Sequence, residues 1–159
     1  MALTKRGHRA TGIEGGTRFC ELARSLSGCE VIQQDLCELQ LPEAKFDGIY
    51  ANAVLFHVPS SRLGHCLEQI HRALKPGGVF FSSNAHGFGE DKEGWTQGRT
   101  PGNRSWVCWL SEETWVATVK AAGFELVDLY YRPPGKPRDQ QPFLASVWKK
   151  VSRERTVPR

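Results

Sequence analysis

Three hydrogen-bonding side chains follow short apolar segments that are typical of β-strands: Glu14, Asp35 and Asn52. Parallel strands end at one edge of a sheet, and ligands of open parallel sheets bind beyond that edge, so we expect these side chains to share a site. The carboxylate of Glu14 can accept two hydrogen bonds from a ribose diol, and that of Asp35 can accept one from an adenine amino group. The alternative for Glu14 is a solvated charge beside the start of a helix.

A second set of residues could act on a reacting molecule. The imidazole of His57 could serve as a general base, although a histidine among apolar neighbours is equally expected in a core. Arginine binds carboxylates and other oxyanions through paired hydrogen bonds. The alternative for the aromatic and arginine candidates listed next is that the arginines are ordinary surface charges and the aromatic residues belong to the core. The candidate substrate-binding residues are Trp95, Arg99, Tyr131 and Arg132.

Several kinds of site have no support in the sequence. It contains neither the G-x-G-x-x-G pattern of dinucleotide sites, nor a P-loop, nor the G-x-S-x-G turn that carries a nucleophilic serine. The five cysteines form no Cys-x-x-Cys pair, and the first residues do not resemble a secretory signal. We therefore expect reduced thiols, a cytoplasmic protein and no bound metal.

The charge of the chain is concentrated at its C-terminus. The formal net charge of the 159 residues is +4, and the segment 149–159 holds five basic residues against one acidic residue. The rest is balanced, which disfavours a nucleic-acid-binding surface. No apolar run is long enough to span a bilayer. We expect a small-molecule partner, no membrane association and a flexible basic tail over 150–159, with the oligomeric state open.

The hydrophobic pattern alternates between strands and helices, which favours an α/β fold with right-handed crossovers. Thr17 and Ser111 are the expected N-caps of two helices. A proline- and glycine-rich loop should join the last two strands as an antiparallel hairpin, and the segment 84–104 is predicted to be a long loop. The predicted strands are 10–14, 30–33, 46–50, 79–83, 124–131 and 143–149, and the predicted helices are 17–27, 59–74 and 111–122.

Five short motifs occur in an order that resembles class I S-adenosylmethionine-dependent methyltransferases. They are Ala-Thr-Gly-Ile-Glu at 10–14, Gln-Asp-Leu at 34–36, Phe-Asp-Gly-Ile-Tyr-Ala-Asn at 46–52, Leu-Lys-Pro-Gly-Gly at 74–78 and Ala-Ala-Gly-Phe at 121–124. The resemblance runs from about Gly7 to Lys149, and we expect 1–149 to form one methyltransferase-like domain that is incomplete at its N-terminus. It implies a Rossmann-like, mostly parallel sheet with helices on both faces and a C-terminal antiparallel hairpin.

The resemblance also implies S-adenosyl-L-methionine as cofactor and assigns residues to it. Glu14, flanked by Ile13 and Gly15, would bind the ribose. Asp35 and Leu36 would contact the adenine. The methionine end would be lined by Asn52, Ala53 and Val54.

The first helix, first strand and glycine-rich loop of that family have no counterpart in the sequence. We therefore expect a fold that is truncated at the N-terminus, with either a central gap or direct pairing of strands 10–14 and 46–50. The predicted function is methyl transfer to a small-molecule acceptor, with His57 as the candidate base. The alternative is a truncated, non-catalytic methyltransferase-like fragment.

Overall fold

The computed structural model describes residues 2–98 and 101–151. Arg99 and the part of the predicted tail at 152–159 lie outside the described residues. The chain divides into two compact units, with the boundary between Gln40 and Leu41. They are called the N-terminal unit and the C-terminal unit below. Among the described residues, no helix has the length and apolar character needed to cross a membrane.

The N-terminal unit is a parallel strand pair joined by a helix. Its strands align with Ile13 opposite Ile32, and the connecting helix ends at Gly28, whose φ of +65° suits a residue without a Cβ. The elements are α1 (Ala2–Lys5), β1 (Thr11–Glu14), α2 (Thr17–Ser27), β2 (Glu30–Gln33) and a 3₁₀ turn (Leu36–Glu38).

Two expectations for α2 have different outcomes. The helix spans the residues that the sequence predicted, but Thr17 is wrong as its N-cap: Gly16 is the extended residue before the helix, and Thr17 is already helical. The chain turns one residue early because the Glu14 carboxylate holds the Gly16 amide. The large apolar side chains of the helix are exposed, with Phe19 and Leu26 at 64% and 62%.

The C-terminal unit is built on a four-stranded sheet in the order β3-β4-β8-β7. β3 and β4 are parallel, whereas β8 runs antiparallel to both β4 and β7. These findings confirm the α/β class and the C-terminal hairpin. The elements are β3 (Phe46–Asn52), a 3₁₀ turn (Leu55–His57), α3 (Ser60–Ala73), β4 (Leu74–Ala85), β5 (Lys92–Gln97), β6 (Arg104–Trp109), α4 (Glu112–Ala121), β7 (Phe124–Arg132), a 3₁₀ turn (Arg138–Gln140) and β8 (Phe143–Lys150).

A buried serine organises the polar part of the core of this unit. The Ser146 hydroxyl accepts hydrogen bonds from the indole N–H groups of Trp115 and Trp148, at 3.0 and 2.7 Å. Its two lone pairs are then occupied, so its own hydrogen is donated to the Ser82 hydroxyl, 3.0 Å away. Phe80 is opposite Trp148 in the paired strands and is fully buried. The network fixes how α4 packs on the sheet.

The predicted long loop 84–104 is wrong. It contains β5, which pairs antiparallel with β6 and sets Trp95 opposite Trp106. The local sequence of β5 is mostly polar, and its alternation is too weak to predict a strand. The two strands are called the β5–β6 hairpin below.

The turn predicted after α3 is the start of β4. Gly78 lies there because a Cβ at this position would come within 2.9 Å of the Lys75 carbonyl oxygen and 3.2 Å of the Asp47 carbonyl oxygen. The pairing of β3 with β4 shifts register at this point, between Phe46 and Gly48. β3 is an edge strand whose hydrogen-bonded neighbour in the described sheet is β4.

Candidate functional site

The two candidate acids of the N-terminal unit are held in the same way. Glu14 Oε1 accepts a hydrogen bond from the Gly16 amide at 2.9 Å, and Asp35 Oδ1 accepts one from the Cys37 amide at 2.8 Å. The second carboxylate oxygen of each bonds none of the described residues. Each acid is therefore oriented by its own backbone while one oxygen stays available to a ligand.

Strand pairing brings these acids to one edge of the N-terminal unit. Glu14 lies opposite Gln33, and the Gln34 amide donates to the Glu14 carbonyl at 3.1 Å, so Asp35 follows directly. The neighbours assigned with these acids are also near this edge. Ile13 and Leu36 are half-buried, and Gly15 is exposed.

Asn52 and Ala53 lie where β3 ends. Asn52 is opposite Ser83 of β4, and the Ala53 amide donates to the Ser83 carbonyl at 2.7 Å. Ala53 has a φ of +54°, a conformation that costs a residue with a Cβ roughly 1–2 kcal/mol. Such strain is found most often at functional sites. Val54, the third residue assigned here, is half-buried.

An open cavity of about 320 Å³ lies beside these residues in the C-terminal unit. Arg132 lines this cavity, and its Nη1 donates hydrogen bonds to Asn52 Oδ1 at 3.1 Å and to the Ser83 hydroxyl at 3.4 Å. The structure thus brings together Asn52 and Ala53, predicted to bind cofactor, and Arg132, predicted to bind substrate. The lining residues are Asn52, Ala53, Ser83, Arg132, Pro133, Pro142 and Phe143.

His57 is held by the β5–β6 hairpin. Its Nδ1 lies 2.8 Å from the Trp106 carbonyl oxygen. A carbonyl oxygen only accepts hydrogen bonds, so Nδ1 carries a hydrogen and the neutral ring has its lone pair on Nε2. The side chain is exposed. This tautomer leaves Nε2 as the atom that can take a proton, although His57 is not among the residues that line the cavity.

Two carboxylates fasten the hairpin to helix starts, and the sequence did not reveal them. Glu93 accepts from the Ser60 amide and hydroxyl, both at 2.8 Å, at the start of α3. Asp91 accepts from the Ser111 amide and the Thr114 hydroxyl, both at 2.6 Å, at the start of α4. The serines at the helix starts could have indicated that carboxylate partners exist, but Asp91 and Glu93 are too distant in sequence to be identified as those partners.

These bonds also lower the pKa of each carboxyl. The Ser60 amide has the largest effect on the pKa of Glu93, and the Ser111 amide on that of Asp91. Nearby, burial is the main cause that raises the pKa of the Cys108 thiol to about 11, and the charge of Glu93 adds to it. Cys108 is therefore protonated at neutral pH and does not act as a nucleophile.

Two further substrate candidates do not line the cavity. Trp95 is 60% exposed on β5, where it packs edge-on against Trp106 at 5.7 Å between ring centres. The Tyr131 hydroxyl donates to Glu112 Oε2. Burial and then this hydrogen bond raise the pKa of Tyr131 to about 12. The described residues contain no group of three or more metal-ligating side chains.

Comparison with known proteins shows to which family the chain is similar. A family model described as a methyltransferase domain matches residues 1–82. The chain is 28% identical over 138 residues to a sterol 24-C-methyltransferase of Gibberella zeae, covering 79% of this chain and 34% of that protein. It is 31% identical over 88 residues to a fatty-acid O-methyltransferase of Mycolicibacterium smegmatis, covering 54% of this chain and 31% of that protein.

Solved structures share the fold. An S-adenosylmethionine-dependent methyltransferase from Methanosarcina mazei aligns with a TM-score of 0.79 at 15% identity, covering 94% of this chain and 85% of that one. A 1,6-didemethyltoxoflavin-N1-methyltransferase from Burkholderia thailandensis, solved with that substrate and S-adenosylhomocysteine, aligns with a TM-score of 0.72 at 23% identity, covering 94% and 64%. The chain spans about a third of the length of the two curated relatives described above.

Proposed function

The chain belongs to the methyltransferase domain family, with the Rossmann-like fold of class I S-adenosylmethionine-dependent methyltransferases, and we propose that it transfers a methyl group from S-adenosylmethionine to a small-molecule acceptor. The observation that carries the proposal is the shared cavity. Residues assigned to the methionine end of the cofactor, Asn52 and Ala53, line it together with Arg132, assigned to the acceptor. A methyl transfer needs those two ligands to meet at one place.

The residues of the N-terminal unit fit the hydrogen-bonding groups of the cofactor. Glu14 and Asp35 each keep one carboxylate oxygen for a ligand, and both are pure acceptors when ionised. Ribose hydroxyls and an adenine amino group are pure donors toward such oxygens. When bound, S-adenosylmethionine supplies an electrophilic methyl group on a sulfonium sulfur.

The residues of the C-terminal unit would hold the acceptor and manage its proton. Arg132 is fixed by Asn52 and Ser83 before any ligand binds, so binding costs little side-chain ordering. His57 presents Nε2 as the basic atom, because its Nδ1 hydrogen is held by the Trp106 carbonyl. Taking the acceptor proton there makes the acceptor atom a better nucleophile.

A small acceptor fits the size of the cavity. Its volume of about 320 Å³ is near the lower end of ligand pockets, which span roughly 300–1,000 Å³. The relatives act on a sterol, a fatty acid and 1,6-didemethyltoxoflavin according to their names, so the family members matched here include enzymes for small molecules. We expect no nucleic-acid partner, since the basic excess lies at 149–159.

Cofactor binding is tested by titrating S-adenosylhomocysteine into the chain by calorimetry. Glu14→Ala should weaken binding by about tenfold to a hundredfold, because a charged acceptor of hydrogen bonds is lost. Glu21→Ala, which removes an exposed acid of α2, is the matched control. Equal affinity of wild type and Glu14→Ala would remove Glu14 from the site.

Catalysis is tested separately, with radiolabelled S-adenosylmethionine and a panel of small acids, alcohols and amines. Label in an acceptor supports the proposal. Binding of the cofactor without transfer to any acceptor would instead support a non-catalytic methyltransferase-like protein, the alternative stated from the sequence.

A further inference from the structure

The Arg132 guanidinium at the wall of the cavity has no counter-ion among the residues that the structure describes. The described residues form two ion pairs, Lys75 with Asp47 and Arg138 with Glu112, and neither includes Arg132. Its side chain is half-buried, so solvent only partly compensates its charge. Its partners, Asn52 and Ser83, are neutral. An unpaired arginine in such a place attracts an anion.

The hydrogen bonds of Arg132 leave one edge of the guanidinium available. Both described bonds come from Nη1. Nε and Nη2 make none to the described residues, and their N–H groups point in parallel in the fixed geometry of the group. Two parallel N–H donors match the two oxygens of a carboxylate.

The rest of the cavity indicates what the carboxylate is attached to. Pro133, Pro142 and Phe143 supply apolar walls beside Arg132, and none of the described residues that line the cavity is acidic. A ligand with a carboxylate and an apolar body could therefore bind Arg132 and pack against the apolar walls at the same time. The amino-acid end of the cofactor, which is assigned to Asn52 and Ala53 of the same cavity, also has a carboxylate and could compete for Arg132, so the test below measures cofactor affinity as well.

We propose that Arg132 binds the carboxylate of the methyl acceptor, and that the acceptor is a small carboxylic acid with an aromatic or aliphatic body. This proposal rests on the proposed function, because the bound acid is a methyl acceptor only if the chain transfers methyl groups. The carboxylate is the anchor, held by Nε and Nη2 of Arg132, while the apolar body lies against Phe143.

The test compares acids with their neutral amides in the full chain saturated with S-adenosylhomocysteine. Benzoate, benzamide, octanoate and octanamide are titrated by ligand-observed NMR and calorimetry. At least one acid should bind about ten times more tightly than its amide. Arg132→Gln should abolish that preference and Arg132→Lys should reduce it. Lys136→Gln, which removes an exposed cation of the same loop, should preserve it.

The outcomes separate the possible sources of the carboxylate. Equal binding of acid and amide by the wild type, or a preference that survives in Arg132→Gln, overturns the proposal. A loss of S-adenosylhomocysteine affinity in Arg132→Gln also overturns it, since Arg132 would then hold the carboxylate of the cofactor. The wild-type comparison and Arg132→Lys decide the question even where Arg132→Gln fails to fold.

The two proposals fail in distinguishable ways. Acid binding through Arg132 without any methyl transfer leaves the anion site in place and removes the enzymatic function. Methyl transfer to acceptors without a carboxylate, with kcat/KM unchanged in Arg132→Gln, keeps the function and removes the assigned substrate class.

Discussion

Glu14 and Asp35 are held by backbone amides two residues ahead of them, whereas Asn52 and Arg132 are held by each other across 80 residues of sequence. His57 is likewise positioned by a carbonyl 49 residues away. The orientation of each acid in the N-terminal unit is therefore set locally, whereas the positions of Asn52, Arg132 and His57 depend on contacts that are distant in sequence. The first should survive changes in packing that destroy the second.

The two units also differ in how deeply their large apolar side chains are buried. In the C-terminal unit Phe80, Leu144 and Trp148 are at most 2% exposed. In the N-terminal unit Phe19 and Leu26 of α2 are mostly exposed. Burial of apolar area is the main source of stability, so the C-terminal unit should hold most of the stability of the chain.

The largest effect is expected on catalysis, at a residue positioned over a long range. His57→Gln should lower kcat by about 10²–10⁴-fold, the usual contribution of a general base. His65→Gln, an exposed histidine of α3, is the matched control. An unchanged kcat in His57→Gln would assign His57 a structural role only.

Core truncation tests the difference in packing. Phe80→Ala should lower the free energy of unfolding by about 3–5 kcal/mol, because the side chain is fully buried and leaves a cavity. Phe19→Ala should change it by less than about 0.5 kcal/mol, since that ring is exposed. Urea unfolding followed by near-ultraviolet circular dichroism measures both. Similar losses would show that α2 is buried in solution.

A substitution at Asp35 should affect the 3₁₀ turn that follows it and leave the sheet of the C-terminal unit unchanged. Asp35→Ala should destabilise the 3₁₀ turn by about 0.5–2 kcal/mol, because the carboxylate that accepts from the Cys37 amide is lost. Hydrogen exchange at that amide should accelerate, with exchange in β4 and β8 unchanged. Glu38→Ala, in the same turn, is the control. Faster exchange in the sheet would contradict the independence of the two sites.

The smallest effect concerns the pH dependence of the β5–β6 hairpin. The Ser60 amide lowers the pKa of Glu93 below its ordinary value of 4.5, so the ionised carboxylate stabilises the folded state. That contribution is complete above pH 4.5 and is lost as the pH falls through the lower folded-state pKa. Tryptophan emission should change in this acid range.

Substitution at Glu93 shows whether this carboxylate is responsible. Glu93→Gln should displace the emission already at pH 7 and flatten its acid dependence, leaving the part that comes from Asp91. Glu90→Gln, a neighbouring exposed acid, should behave like the wild type. An acid transition that is the same in Glu93→Gln and the wild type would exclude Glu93 as its cause.

Local patterns in the sequence determined most of the elements. The 3.6-residue spacing predicted α2 and α3, the Ser111 side chain caps α4 as predicted by accepting from the Thr114 amide, and the last two strands form the predicted hairpin. The order of short motifs also identified the methyltransferase family correctly. These features depend on neighbours within a few residues, and such neighbours are visible in a sequence.

Tertiary structure alone decided the rest. β5 has a polar sequence and is a strand because β6 pairs with it and because Asp91 and Glu93 bind the starts of two helices. Arg132 was visible as a charge in a loop, but its lack of a counter-ion and its place in a cavity with Asn52 are properties of folded neighbours. The physical reason is that hydrogen-bond partners and burial depend on distances in space, which the spacing of residues along the chain does not encode.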